Sequence, residues 1–492
     1  MEIEPLLPYQ QDGAAWLSQR TQALLADDMG LGKTCQSIVA SDMIGARNIL
    51  VICKTNAVIN WSREFEKFSP MDRPVTMIRS GEDRPRHGVT IISYDFVGVP
   101  RAKRAIIKAK LALDDSNAKR RADIARKIER NRRELLAAIK AISWDVVIID
   151  EAHFLKERDA DRTRQVYGNE TERNGLVHAA ARCWRLTGTP AMNNAGEVWT
   201  HLKSAGVYTQ PYWDFVFQYC TGFDGDYGYK ITGTKNEAQL RQLLAQFMLR
   251  RKKEDVMKDL PEIRFSTVTV ERSEVSLDPY FYENWYKIGI PAFQDQLKQA
   301  ESALQGGLSM VRSTPLYKTD DALRMIEAAS TSTATLRRYI GLAKAPAVLD
   351  IIAHELAENA YSKIVIFAMH TQVIQMARER LKKFGVVTLY GGTPAEKRQA
   401  NIDSFQNNER TRVFVGQVVA AGDSITLTAA SEVVFLESAW VPAMNAQAAA
   451  RCHRIGQTKK VRVRFFVCAE TVDEDVMRAV AAKTREIAKF LA

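Results

Sequence analysis

Short apolar runs, most of them β-branched, recur in two clusters along the chain, separated by stretches long enough to hold a helix. The first cluster is Ala23-Leu24-Leu25-Ala26, Ile49-Leu50-Val51-Ile52, Val89-Thr90-Ile91-Ile92-Ser93 and Val146-Val147-Ile148-Ile149. The second is Ile364-Val365-Ile366-Phe367, Val386-Val387-Thr388-Leu389, Arg412-Val413-Phe414-Val415, Val433-Val434-Phe435-Leu436 and the run from Val461 to Val467. A strand that is apolar on both sides must be covered on both faces, and βα crossovers achieve this. The pattern predicts an α/β chain with two parallel-sheet halves. At 492 residues the chain also exceeds what one hydrophobic core organises. A boundary is expected near Leu260-Pro261, after the basic run Arg250-Arg251-Lys252-Lys253, dividing the chain into 1–260 and 261–492.

Each half carries an expected helical insertion. In the first, Ile124, Ile128, Leu135 and Ile139 recur at helical spacing, and Asp114-Asp115-Ser116-Asn117 supplies turn and cap chemistry before them. A helical hairpin over about 100–142 follows from that. In the second, residues 275–345 are rich in Ala, Leu, Gln and Glu and read as mostly helical. Residues 101–140 hold fourteen Lys/Arg against five Asp/Glu, which accounts for most of the formal net charge of +11. Such a concentration is the footprint of a polyanion binder, although a solvated charged helix has the same composition. Arg120, Arg121, Arg126, Lys127 and Arg130 are the candidate contacts.

No apolar run reaches the roughly 18–20 residues of a membrane span, so no membrane partner is expected. The start, Met-Glu-Ile-Glu-Pro, lacks the basic and apolar regions of a secretory signal. The six cysteines form no C-x-x-C pair, which fits a reducing cytoplasm or nucleoid (a nucleus in a eukaryote) rather than a disulfide or zinc framework.

Two motifs carry chemistry. After Ala23–Ala26 comes Asp27-Asp28-Met29-Gly30-Leu31-Gly32-Lys33-Thr34 and then a helical stretch. Strand, glycine-rich turn, Lys-Thr and helix form a phosphate cradle of the P-loop type. Met29, Gly30, Leu31 and Gly32 would shape it, Lys33 would reach the β- and γ-phosphates, and Thr34 would ligate Mg²⁺. Asp27 stands where the general pattern has glycine. The second motif is Asp150-Glu151 at the carboxyl end of the run Val146–Ile149, where parallel sheets bind ligands. Asp150 is placed to hold Mg²⁺ and Glu151 to take a proton from attacking water. ATP and Mg²⁺ are therefore the expected cofactors.

Leu186-Thr187-Gly188-Thr189-Pro190 and Gln447-Ala448-Ala449-Ala450-Arg451-Cys452-His453-Arg454-Ile455-Gly456-Gln457 complete an ordered set. Together with the two sites above, they resemble the motifs of superfamily-two helicase-like ATPases. The Arg-x-His-Arg-Ile-Gly-Gln form resembles that of Swi/Snf-type double-stranded DNA translocases. Asp150–Lys156 and Leu186–Asn193 look closest to the annealing-helicase branch. Phe247–Val256 and Asp259-Leu260-Pro261 look like the family's segment joining its lobes.

The resemblance implies two RecA-like lobes that close around one ATP. It implies that Gln10, in Pro8-Tyr9-Gln10, reads the adenine, and that Arg451 and Arg454 are arginine fingers. Spaced three apart, the two arginines can share one face of a helix. It implies DNA contacts at Lys54, Thr55 and Trp61, at Ser93 and Tyr94, at His370 and Thr371, and at Thr426. Gly422 is implied at the nucleotide. Two departures stand out: Ser424 replaces a usual glycine, and Trp440-Val441-Pro442 replaces Trp-Asn-Pro. The expected function is that of an ATP-dependent translocase, a monomer acting on double-stranded or forked DNA and on proteins bound to it. A strand-separating helicase or RNA-dependent ATPase, or a non-catalytic ATP-gated clamp, are the other readings of the same motifs.

Overall fold

The structure is a computed structural model, and it describes residues 5–98, 115–169, 174–225, 228–275, 319–421 and 425–491. The chain divides into two compact units. The first comprises Met1–Tyr219, Lys235–Lys258 and Phe490–Ala492, and the second Cys220–Thr234 and Asp259–Lys489. The chain passes to the long second segment of the second unit between Lys258 and Asp259. A hairpin from the first half of the sequence, β7 (Cys220–Gly225) and β8 (Gly228–Thr234), groups with the second unit. Its Gly233 lies against Glu486 of the C-terminal helix, so close that a Cβ there would fall 3.2 Å from Glu486 Oε2.

The first unit is built on a seven-stranded sheet. Its strands are β1 (Gln22–Leu25), β2 (Ile49–Cys53), β3 (Val75–Met77), β4 (Val89–Ser93), β5 (Trp144–Asp150), β6 (Ala180–Leu186) and β9 (Met248–Leu249). They lie in the order β3-β4-β2-β5-β6-β1-β9, all parallel. β2 and β4 are buried at every residue because helices cover both faces. Helices α1 (Pro8–Ser18), α2 (Lys33–Met43) and α3 (Val58–Phe68) pack one face through Leu17, Ile38, Trp61 and Phe65, while Leu135, Leu136 and Ile139 pack the other.

β6 carries no continuous apolar signal in the sequence because Arg182 and Arg185 interrupt it. The fold nevertheless buries Arg185 completely, with its guanidinium donating to Gln22 Oε1 at 3.1 Å and Ser204 Oγ at 2.8 Å.

The second unit holds a six-stranded parallel sheet in the order β10-β15-β14-β11-β13-β12. These strands are β10 (Ile263–Val270), β11 (Ile364–Ala368), β12 (Val386–Leu389), β13 (Val413–Gln417), β14 (Glu432–Phe435) and β15 (Val461–Cys468). β10 is an edge strand absent from the expected set. It is largely exposed, Phe265 included, so it lacks the continuous apolar run of the inner strands.

The expected helical hairpin at 100–142 is described only from Asp115, as one helix to Lys140. Its apolar stripe docks only in part. Leu135 and Ile139 are fully buried, whereas Ile124 is 51% exposed and Ile128 36%. The insertion expected at 275–345 lies partly outside the described residues. Apart from Val275, its described portion belongs to one helix, Thr319–Ala357, which runs beyond 345 to bury Val348, Leu349, Ile352 and Leu356. All six cysteines are free and buried, and no described helix is long and apolar enough to cross a membrane.

Candidate nucleotide site

β1 carries the chain to the carboxyl edge of the first sheet, where Asp27–Gly32 turns it into α2. Gly30 (φ 85°) and Gly32 (φ 74°) adopt the left-handed conformation that this turn requires. A Cβ on Gly32 would fall 2.4 Å from Gln10 Nε2 and 2.9 Å from Cys35 Sγ. The turn thus presents backbone N–H groups at the head of an eleven-residue helix, an arrangement suited to phosphate. Lys33 Nζ donates to the carbonyls of Asp27 (2.7 Å) and Asp28 (3.2 Å). Burial lowers the Lys33 pKa, against the opposing pull of Glu151, Asp27, Asp150 and Asp28. A polyphosphate fits this ammonium because it brings the anionic charge that burial calls for. Thr34 follows in the first turn of the helix.

Asp27, the departure from the phosphate-loop pattern, is a completely buried anchor. Arg251 grips its carboxylate through Nε (3.0 Å) and a terminal nitrogen, and the Arg251 backbone N–H adds a third bond at 3.1 Å. The same guanidinium donates to Gln36 Oε1 at 2.8 Å and to the Tyr9 carbonyl. β9 pairs with β1 just upstream, and the Asp28 N–H donates to the Arg251 carbonyl at 3.0 Å. Gln10, expected at the adenine, is engaged inside the protein. It accepts from the Leu7 N–H at 2.9 Å and donates to the Leu31 carbonyl at 3.3 Å. Leu31 itself is fully buried.

β5 ends two strands away from β1, with β6 between them, so Asp150-Glu151 emerges from the same sheet edge as the phosphate turn. Glu151 takes a positive φ of 50°, a strained conformation for a residue with a side chain. Its Oε2 is buried without a hydrogen bond. His153 Nδ1 stands 3.2 Å away as an ion-pair neighbour, and the same nitrogen lies 3.0 Å from Thr187 Oγ1 and 3.4 Å from Thr189 Oγ1. Burial and the adjacent Glu151 charge push the Asp150 carboxyl up to about 6. Burial also acts to raise Glu151, but His153, Lys54 and Lys33 outweigh it and hold that carboxyl low. A divalent cation fits this pair, since it would favour ionisation of both carboxylates. Gly188, after β6, closes over the turn. A Cβ there would lie 2.6 Å from Met29 Cγ and 3.4 Å from Lys33 Nζ.

Three of the residues expected at DNA lie in the interior of this structure. Trp61 is 1% exposed, and its indole N–H donates to Asp150 Oδ2 at 2.9 Å. Tyr94 is 7% exposed and its hydroxyl donates to the Asp150 carbonyl at 2.7 Å, while Ser93 is buried at the end of β4. These three belong to the interior because they sit at strand ends and on the packed face of α3. Lys54 and Thr55 remain accessible: the Lys54 ammonium lies 4.5 Å over the Phe154 ring, and Thr55 Oγ1 donates to Asp95 Oδ2 at 2.7 Å.

On the Asp115–Lys140 helix, Arg126, Lys127 and Arg130 are 78%, 61% and 70% exposed, each beside an acid: Asp123, Glu82 and Glu134. The side chains of Arg120 and Arg121 lie outside the described residues. Arg132 is buried, bonded to Glu129, Asp161 and the Val97 carbonyl.

In the second unit, helix Pro442–Ala449 ends before Arg451, so the expectation of one shared helical face for Arg451 and Arg454 fails. Both lie in the turns that follow. Arg454 donates to the Ile425 carbonyl at 3.2 Å and the Leu427 N–H donates to the Arg451 carbonyl at 2.9 Å, which brackets Thr426. Gln457 fixes the loop by donating to the carbonyls of Cys452, Thr428 and Ala430. His370 caps the helix Thr371–Leu381 and is fastened through Nδ1 to Glu437 Oε1 at 2.6 Å. Gly422 and Ser424 lie outside the described residues.

The SNF2-related domain matches residues 9–322, and the helicase conserved C-terminal domain matches residues 344–456. A Caenorhabditis elegans homolog of the SWI/SNF-related matrix-associated actin-dependent regulator of chromatin subfamily A-like protein 1 is 28% identical over 98% of this chain and 61% of its own length. The Bos taurus DNA annealing helicase and endonuclease ZRANB3 is 27% identical over 95% of this chain and 39% of its own. The chain thus spans less than two thirds of the length of these relatives. A solved Sulfolobus solfataricus SWI2/SNF2 ATPase core in complex with dsDNA aligns over 99% of this chain and 95% of that one, at 21% identity and a TM-score of 0.40.

Proposed function

Because the chain belongs to the family defined by the SNF2-related domain, we propose that it is a DNA-dependent ATPase that translocates on double-stranded or branched DNA and remodels or reanneals it. The observation that carries this is the shared sheet edge. There Lys33, held on the loop carbonyls, faces the field of Asp150 and of Glu151, whose Oε2 is buried and unbonded. Bound Mg·ATP supplies an electrophilic terminal phosphate and a divalent charge that neutralises it. Lys33, Thr34 and the turn Met29–Gly32 would hold the phosphates, Asp150 with Thr34 would hold the cation, and Glu151 would accept the proton of the attacking water. Arg451 and Arg454 are the proposed arginine fingers of the second unit, guanidinium forks of the kind that suits a phosphate. Lys54, Thr55, His370, Thr371 and Thr426 are the candidate backbone contacts to DNA, which position a motor without reading sequence. The similarity to ZRANB3, named a DNA annealing helicase, and to the regulator of chromatin supports a DNA substrate; forked DNA, proteins bound to it and a monomer as the active unit are part of the proposal.

The test is ATP turnover without nucleic acid and with single strands, duplex, forks and RNA, at fixed salt. Duplex or forked DNA is expected to stimulate most, and Glu151→Gln to abolish the stimulated rate while retaining nucleotide binding. Equal turnover in all five conditions sinks the reading, and strongest stimulation by RNA transfers it to an RNA-dependent ATPase.

A further inference from the structure

Asp150 is gripped twice by residues that the motif pattern assigns to loops facing DNA. Trp61 Nε1 donates to its carboxylate at 2.9 Å and the Tyr94 hydroxyl to its backbone carbonyl at 2.7 Å. Trp61 stands on α3, immediately after the turn that carries Lys54 and Thr55. Tyr94 follows β4 directly, and its neighbour Asp95 receives the Thr55 hydroxyl. The Tyr94 ring stacks on Phe154 with centroids 5.6 Å apart, and the Lys54 ammonium lies over that same ring. The turns after β2 and β4 are therefore bonded to each other and to the acid at the end of β5.

We propose that Trp61 is a positioning residue for Asp150, fixing the carboxylate so that its remaining acceptor sites face a divalent cation. The inference rests on the reading of Asp150 as the cation-holding acid. An indole N–H can only donate, so this bond admits one orientation. A carboxylate offers about four acceptor sites, and a single donor on Oδ2 leaves the others for a metal. Trp61 is 1% exposed, so solvent does not compete for either partner. Its ring also sits 6.2 Å from that of Phe65, so the indole is packed as well as bonded. Donors behind a metal ligand commonly change metal affinity by about 10–100-fold when removed.

The experiment measures binding of a fluorescent ADP analogue to the full chain by anisotropy, in excess Mg²⁺ and in EDTA. The ratio of the two affinities isolates the cation. Trp61→Phe keeps an aromatic ring in the core and removes the N–H. Benzothienylalanine at position 61, with sulfur in place of N–H, keeps the bicycle intact should the phenylalanine variant not fold. The expected result is an affinity in EDTA equal to the parent's and a Mg²⁺-dependent gain reduced about 10-fold. A gain equal to the parent's in a folded variant overturns the proposal. Absence of any Mg²⁺-dependent gain in the parent chain would instead refute the cation site itself, which separates the two failures.

Discussion

Arg251 and Asp27 form a buried ion pair that ties the segment leading out of the first unit to the phosphate turn. Asp27 is 0% exposed and the Arg251 side chain 15%. The pair carries consequences because the two carbonyls holding Lys33 belong to Asp27 and Asp28, and Asp28 is itself bonded by the Lys253 N–H at 3.1 Å. Position 27 therefore needs an acid where a generic phosphate loop has glycine. Removing the arginine alone leaves a carboxylate buried without its counter-charge, a defect that costs about 3–5 kcal/mol. Arg251→Ala is expected to lower the unfolding midpoint sharply, and Asp27→Asn in the same chain to recover part of the loss. Denaturant titration checks both, and equal midpoints for the single variant and the parent would refute the pair's role.

The raised Asp150 pKa makes a prediction about pH. A carboxyl at about 6 in the fold and near 3.8 when unfolded stabilises the protein while protonated. That contribution is complete below about pH 4 and is lost as pH rises through about 6. Glu151 shifts the other way, so its contribution is lost only at more acid pH, as its own low pKa is approached. In metal-free buffer Asp150→Asn should therefore raise Tm at pH 7 by a few degrees, corresponding to up to about 3 kcal/mol. At pH 4 the variant and the parent should agree. A variant less stable than the parent at pH 7 contradicts the sign.

Gly188→Ala tests how closely the turn after β6 approaches the phosphate turn. The new methyl would clash with Met29 Cγ at 2.6 Å, press on the Met29 backbone nitrogen at 3.3 Å and touch Lys33 Nζ at 3.4 Å. Nucleotide affinity should fall at least about 10-fold, equivalent to about 1.4 kcal/mol, with the far-ultraviolet dichroism of the parent retained. Parent-like affinity would mean that Met29 yields without disturbing Lys33.

The exposed cations of the Asp115–Lys140 helix are predicted to act on DNA phosphates. Neutralising Arg126, Lys127, Arg130 and Arg133 together should weaken duplex binding and reduce the slope of log K against log salt by up to about one for each phosphate no longer neutralised. Acidic neighbours already partner all four, so the reduction should be smaller than four full charges imply. An unchanged slope makes the helix a solvated scaffold.

Much of the architecture was legible because its signals are local. Ile49–Ile52 and Val146–Ile149 are short, β-branched and apolar at consecutive positions, the pattern of a strand covered on both faces. Gly30, Gly32, Lys33 and Thr34 announce themselves because a phosphate turn needs those residue types at that spacing. Asp150 and Glu151 are legible for the same reason, as acids at the carboxyl end of such a strand. β6 was hidden by Arg185, whose burial depends on Gln22 and Ser204, and β10 by its position at an edge.

What the sequence by itself determined is the set of strands that must be covered and the chemical groups that must gather at their ends. Periodicity and turn chemistry act between neighbours in the chain. Only the tertiary structure decided which side chain serves which partner. Trp61, which motif resemblance alone implied at DNA or in the core, donates to Asp150, 89 residues away, and Asp27, a mismatch to the loop pattern, partners Arg251, 224 residues away. The physical reason is that a hydrogen bond or ion pair depends on distance in space, which sheet order sets and no local pattern encodes.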